Sequence, residues 1–191
     1  MRQKSQAIIA LGGNLPSLWG TSAQTIRQAQ VELANLSLGK ARHSPLYETP
    51  AFPAGAGPNY VNGVSVIDTD LAPQALLEAL HRIEAQARRV RDQRWGQRTL
   101  DLDLLALGDR VFPDRETLTS WIDLPLDQQM NRTPEGLLLP HPRIQDRAFV
   151  LVPMADVAAD WRHPILGRTV AQMCAALTAA QHEEVRPLEN D

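Results

Sequence analysis

Two aspartates interrupt an apolar run in the stretch RWGQRTLDLDLLALGD, which extends from Arg94 to Asp109. The run TLDLDLLALG reads as a buried β-strand, and in a strand residues two apart share a face about 6.6–7 Å apart along the backbone. Asp101 and Asp103 therefore point the same way, with Leu100, Leu102, Leu104 and Ala106 expected on the other face. Beyond Asp103 the acidic face is expected to turn apolar at Leu105 and Leu107, which puts the acids at the strand's opening end. Like charges this close repel, and burial raises their pKa values unless a cation intervenes. Mg²⁺ meets that need: it takes oxygen ligands, keeps several waters and commonly binds one or two carboxylates together with substrate phosphates. An acid pair alone is more often a solvated strand face, because charged residues are mostly exposed. Its neighbours shift that balance.

Arg88, Arg89, Arg91, Arg94 and Arg98 all lie shortly before the acids. Arginines in the last turn of a helix complement its macrodipole, which accounts for Arg88 and Arg91 only. The cluster continues through a loop up to the acid pair. Guanidinium groups bind phosphate oxygens bidentately, so acids for metal and arginines for phosphate together suit a Mg-polyphosphate. Trp95-Gly96 in that loop suggests an aromatic lid. Further on, LPHPR fixes His141 between Pro140 and Pro142, with Arg147 and Phe149 close behind. YETP and NYVNG hold Tyr47, Glu48, Thr49, Tyr60 and Asn62, each of which alone is an ordinary strand or turn residue. ALGGN lacks the Gly-Lys-Ser/Thr ending of a phosphate loop and is expected to be a strand-to-helix turn.

The elements that must position these groups are readable in outline. SQAIIALGGN is a strand, and TSAQTIRQAQVELANL a helix with Ile26, Leu33 and Leu36 on one side. Thr21 and Gln24 have capping-box spacing. ARHSPLYETP is strand-like up to its proline, FPAGAGPN a loop, and YVNGVSVIDT a β-branched strand. PQALLEALHRIEAQARRV carries Leu76, Leu80, Ile83, Ala87 and Val90 as one helical stripe, with Pro73 suited to the first turn. The order β-α-β-β-α-β matches an α+β, ferredoxin-like sandwich with helices packed on an antiparallel sheet. An additional C-terminal helical or hairpin segment follows: AFVLVPMADV reads as helix or strand, and TVAQMCAALTAA as a final helix. One domain is expected over 1–191, with an insertion at about 113–136, where WIDLPLDQQM is a short helix or part of the insertion.

Lys and Arg total 19 against 22 Asp and Glu, so the net charge is -3. A phosphate-backbone binder is usually more basic. A ferredoxin-like RNA-binding module would also need stacking aromatics on its central strands, and aromatics make up only 5% of the chain. No nucleic-acid or membrane partner is therefore expected. The one cysteine, Cys174, allows no internal disulfide and points to the cytoplasm. The oligomeric state is not encoded legibly, and a monomer is compatible with everything above.

RWGQRTLDLDLL closely resembles the signature of 6-hydroxymethyl-7,8-dihydropterin pyrophosphokinases of folate biosynthesis. ALGGN, LYETPAF, NYVNGV, RIEAQARRVR and LPHPRIQDRAFVLVPMADV fall in that family's order and approximate spacing. The resemblance implies the same ferredoxin-like fold and transfer of pyrophosphate from ATP to the pterin's hydroxymethyl group, with release of AMP. It implies that Asp101 and Asp103 bind two Mg²⁺ and act catalytically with Arg89 and Arg98. ATP, the co-substrate, would meet Glu84, Arg89, Arg91, Arg94, Arg98, Leu104, His141 and Arg147. The pterin would meet Thr49, Pro50, Phe52, Tyr60, Asn62, Trp95 and Phe149. Gln97 stands where many members have proline, Asp92 where a lysine helps hold phosphate, and Pro142 where some relatives have an aromatic. The residue-level alternative is another Mg-dependent phosphoryl or nucleotidyl transferase using the same acid pair, from which the products distinguish it.

Overall fold

A computed structural model describes residues 4–51, 57–87, 99–125, 128 and 131–189. The central strand β1 (Ser5–Gly13) lies between β4 (Tyr60–Thr69) and β5 (Asp101–Leu107), antiparallel to both. β2 (Arg42–His43) and β3 (Tyr47–Thr49) both pair antiparallel with β4. β6 (Arg186–Pro187) adds to the outer side of β3. The run AIIAL serves a strand buried on both faces: Ala7, Ile9 and Leu11 enter one core, Ile8 the other.

The first core is closed by α1 (Ser22–Leu36) and α2 (Pro73–Gln86), through Ile26, Ala29 and Leu33 of the former and Leu76, Leu80 and Ile83 of the latter. The expected capping box starts α1: Thr21 Oγ1 accepts the Gln24 amide N–H, and Gln24 Oε1 accepts that of Thr21. Pro73 occupies the first turn of α2, as expected. The opposite face of the sheet is covered by α4 (Ala148–Ala158) and α5 (Val170–Ala175), through Val150, Leu151, Met154, Val170 and Met173. AFVLVPMADV is thus a helix, and the C-terminal segment makes a second layer.

Several sequence expectations need correction. ALGGN is not a turn: Gly12 and Gly13 lie inside β1 and pair with β4, and Gly12 pairs with β5 as well. ARHSPLYETP forms two short strands, because Pro45 has no N–H for the ladder; the Ser44 hydroxyl accepts the Val64 N–H there. The face alternation of β5 breaks at a register shift opposite Ile8 and Ile9. Leu105 and Ala106 therefore share the second core while Leu107 joins Leu102 and Leu104 in the first, reversing the expected sides of Ala106 and Leu107. The final helix is two helices, α5 and then α6 (Ala179–Glu183): after the capping box of Thr169 and Gln172 that starts α5, Thr178 and Gln181 form another that restarts the helix.

The segment between Phe112 and Leu139, where an insertion is expected, leaves and returns through a bridge in which these two residues exchange backbone hydrogen bonds of 2.8 and 3.0 Å. Its helix α3 (Arg115–Ile122) starts ahead of WIDLPLDQQM, because Asp114 caps it by accepting the Thr117 N–H at 2.8 Å.

At the far end of β5, Trp161 Nε1 donates to the Gly108 carbonyl. The neighbouring His163 is fully buried, and its Nδ1 accepts the N–H groups of Ile165 and Leu166. Burial, aided by Arg168, lowers its pKa to about 4. An unfolded histidine titrates near 6.5. Between these values the unfolded chain binds a proton that the native one refuses, so this site makes stability fall as pH drops from about 6.5 toward 4. His163→Asn keeps an acceptor for the two N–H groups. Its melting temperature should fall less steeply on acidification than the wild type's, and an unchanged acid limb would refute this account.

Candidate active site

β-Pairing assembles the site. Directly opposed residues of neighbouring strands share a face. Gly12 is opposite both Asp101 and Asn62, and Asn62 is opposite Tyr47. One row across the sheet therefore reads Asp101, Gly12, Asn62, Tyr47, and the next reads Asp103, Ala10, Val64. Val64 packs in the second core, so both rows belong to the face covered by α4. Lacking a side chain, Gly12 leaves a gap between Asp101 and Asn62, and a Cβ added there would lie 3.4 Å from Asn62 Oδ1.

The polar edge of this gap is organised. Asn62 is buried and donates from Nδ2 to Thr49 Oγ1 at 2.9 Å. Its Oδ1 is thereby turned toward Gly12. Thr49 lies opposite Tyr60, and Pro50 follows it at the exposed end of β3. The Asn14 amide, also buried, donates to the Pro58 carbonyl and ties the exit of β1 to the start of β4.

The acid side faces the start of α4. Arg147 Nη1 stands 3.6 Å from Asp103 Oδ2, with the arginine side chain 17% exposed and the aspartate's 41%. The same guanidinium lies 5.7 Å from the ring centroid of Phe149, which is 41% exposed despite its size. His141 is held beside β5, its N–H donating to the Leu105 carbonyl at 2.8 Å. Its Nδ1 accepts the Arg143 N–H, which leaves the proton on Nε2. Burial first, then the charges of Arg147 and Arg143, pushes its pKa well below 6.5, so the ring is neutral at physiological pH.

Glu84 and Leu104 sit differently from the rest. Glu84 is 2% exposed, on α2, and its Oε1 accepts the Leu102 N–H at 2.9 Å on the open edge of β5. It fixes the backbone between the two aspartates. The Leu104 side chain lies in the first core, away from the acid face. Asp101, Asp103, His141, Arg147, Phe149, Thr49, Tyr60 and Asn62 belong to one face or its rim. Phe52, Arg89, Arg91, Arg94, Trp95 and Arg98 lie outside the described residues, as do Arg88, Asp92 and Gln97. Sequence reasoning missed Gly12. The available signal was a glycine within a strand, which marks close approach of another group.

The acid pair suits a hydrated hard cation: both carboxylates share one face of β5, and Asp103 is open to solvent. Among the described residues, no group of three or more His, Cys, Asp or Glu is placed to hold a metal. Two carboxylates plus ligand oxygens is the arrangement the residues offer.

Fold and site together define an α+β domain of ferredoxin-like topology, whose sheet presents an acid pair on its edge strand β5 and a buried amide on β4 across a glycine gap. The model of the 7,8-dihydro-6-hydroxymethylpterin-pyrophosphokinase family matches residues 8–159, and the chain belongs to that family. The 2-amino-4-hydroxy-6-hydroxymethyldihydropteridine pyrophosphokinase of Pseudomonas aeruginosa is 44% identical over 70% of this chain and 69% of its own. That of Methylorubrum extorquens is 33% identical over 95% of this chain and 99% of its own. Among solved structures, a wild-type Plasmodium falciparum HPPK-DHPS with pteroate shares the fold at a TM-score of 0.65 and 16% identity. The match covers 96% of this chain but 44% of that one. No helix among the described residues is long and apolar enough to cross a membrane.

Proposed function

We propose that this chain transfers pyrophosphate from ATP to 6-hydroxymethyl-7,8-dihydropterin, the activity named for its relatives, at the face bearing Asp101, Gly12 and Asn62. The observation that carries this reading is that single row, which sets the Asp101 carboxylate and the buried Asn62 amide on either side of a side-chain-free gap. The pterin hydroxymethyl oxygen attacks the β-phosphorus of ATP. A bond from that oxygen to phosphorus forms, the bond from phosphorus to the α,β-bridging oxygen breaks, and AMP leaves with the bridging oxygen. Such chemistry rests on positioning and charge neutralisation rather than a covalent catalyst.

Asp101 and Asp103 would hold two Mg²⁺, whose chemistry is to neutralise the polyphosphate and acidify a bound hydroxyl. Arg147 beside Asp103 supplies a cation on the same face. Neutral His141 donates from Nε2 without adding charge. Arg89 and Arg98 stabilise transition-state charge, and Arg91 and Arg94 bind phosphate. Asn62 Oδ1 accepts from the N–H-bearing edge of the pterin while Thr49 fixes the amide's orientation. Phe149, Tyr60, Trp95 and Phe52 supply apolar faces, with Pro50 at the rim. Glu84 and Leu104 act through the β5 backbone. The whole chain works as one domain with the insertion at about 113–136, in the cytoplasm and without a nucleic-acid partner.

Incubation with ATP, Mg²⁺ and the pterin should release AMP and pterin diphosphate in equal amounts. ADP with a monophosphorylated pterin would overturn the reading. Phe149→Ala removes a stacking face worth about 0.5–1.5 kcal/mol beyond burial. It should weaken pterin binding several-fold and leave a non-hydrolysable ATP analogue unaffected in calorimetry. Asn62→Ala should lose discrimination among pterin analogues more than affinity, because a mismatched ligand no longer strands a buried acceptor. Equal losses for both ligands would make Phe149 a packing residue only.

A further inference from the structure

Beyond the groups that face the ligands, one hydrogen-bonded pair, a buried tyrosine and an exposed aspartate, links the two walls of the pterin site. Tyr47 is 9% exposed, and its hydroxyl donates to Asp156 Oδ2 at 2.8 Å. Tyr47 stands two residues before Thr49 on the same face of β3, and opposite Asn62 of β4. Asp156 stands seven residues after Phe149 on α4, about two helical turns along the same side. The bond therefore joins the strand that orients the Asn62 amide to the helix that presents Phe149 and, just ahead of its first turn, Arg147. Apolar packing of α4 on the sheet, with Val150 and Met154 in the same core as Val64 and Val66, holds the two layers together through non-directional contacts. The part-buried Tyr47–Asp156 hydrogen bond adds a directional contact at one point along α4.

We propose that Tyr47 and Asp156 are positioning residues that set the separation between the amide wall and the aromatic wall of the pterin site. The proposal rests on the placement of the pterin between Asn62 and Phe149 given above. Burial, reinforced by Asp156, pushes the Tyr47 phenol up to about 12, so it remains a donor at any working pH. Asp156 also faces Cys174 of α5, whose thiol is likewise pushed up by burial and by that carboxylate. The tie thus sits where β3, α4 and α5 meet.

The test uses the full chain with Tyr47→Phe, Asp156→Ala, Asp156→Asn and the Tyr47→Phe/Asp156→Ala double variant. Pterin affinity is measured beside a non-hydrolysable ATP analogue, and analogue affinity is measured alone. Tyr47→Phe and Asp156→Ala should each weaken pterin binding roughly threefold to tenfold, the scale of one lost hydrogen bond, and leave analogue binding unchanged. The double variant should be no worse than either single one. Asp156→Asn should bind like wild type, because its side-chain carbonyl accepts the same hydroxyl. A lowered melting temperature with both affinities unchanged overturns the proposal, as does an equal loss for both ligands or an Asp156→Asn as damaging as Asp156→Ala. Asn62→Ala and Phe149→Ala serve as controls for the underlying placement. If neither weakens pterin binding, the placement fails; if both do and Tyr47→Phe does not, only the tie fails.

Discussion

Asp101→Ala and Asp103→Ala should each abolish pterin-dependent release of AMP while the protein melts close to the wild-type temperature. The two carboxylates share one face of β5, about 6.6–7 Å apart at the backbone by strand geometry. Their mutual repulsion is relieved by losing either one, so the metal-free protein gains or keeps stability. Asp103→Ala also removes the contact to Arg147. At 3.6 Å and with the acid 41% exposed, that pair contributes no more than about 1 kcal/mol. The catalytic loss is far larger, because a polyphosphate without its cations keeps its charge in the transition state. Product analysis under saturating Mg²⁺, paired with thermal melts, decides the matter. Near-normal Mg-dependent turnover by either variant would remove the acids from the metal site. Activity lost together with the melting transition would instead make them structural.

Much of the frame that holds these acids was legible in local pattern. β1 is apolar on both faces and had to be central, and the stripe of Leu76, Leu80 and Ile83 announced α2. Periodicity could not show where it breaks. The register shift in β5 depends on pairing with Ile8 and Ile9, a long-range fact, and it decides which core receives Ala106 and Leu107. The division of the C-terminal helix was readable, since Thr178 and Gln181 repeat the spacing that starts α1 at Thr21. Of the site, residue types and spacing pointed to Asp101, Asp103, His141 and Arg147. They did not reveal that Glu84 is engaged by the β5 backbone, or that Tyr47 reaches Asp156 across 109 positions of sequence. Such contacts exist only once sheet and helices have packed.

The role of Gly12 follows from the same pairing and gives the second large effect expected. Gly12 is in an extended strand that a β-branched side chain suits, so Gly12→Val places no strain on the backbone. It lies between Asp101 and Asn62, with an added Cβ already at van der Waals distance, 3.4 Å, from Asn62 Oδ1. The two further methyl carbons of valine must then occupy the gap or displace the amide from Thr49. Either outcome separates the pterin edge from its reader and moves the hydroxymethyl oxygen away from the acids. Misplacement of about 1 Å costs on the order of 100-fold in rate. Gly12→Val should therefore lower kcat/KM for the pterin by roughly two orders of magnitude. Gly12→Ala, with one carbon at ordinary contact distance, should lower it far less. Affinity for a non-hydrolysable ATP analogue should persist in both variants, since the acids and Arg147 remain. Steady-state kinetics with varied pterin, beside calorimetry with the analogue, measure the two effects separately. A Gly12→Val protein that turns over the pterin at the wild-type rate would mean the substrate lies elsewhere on the sheet.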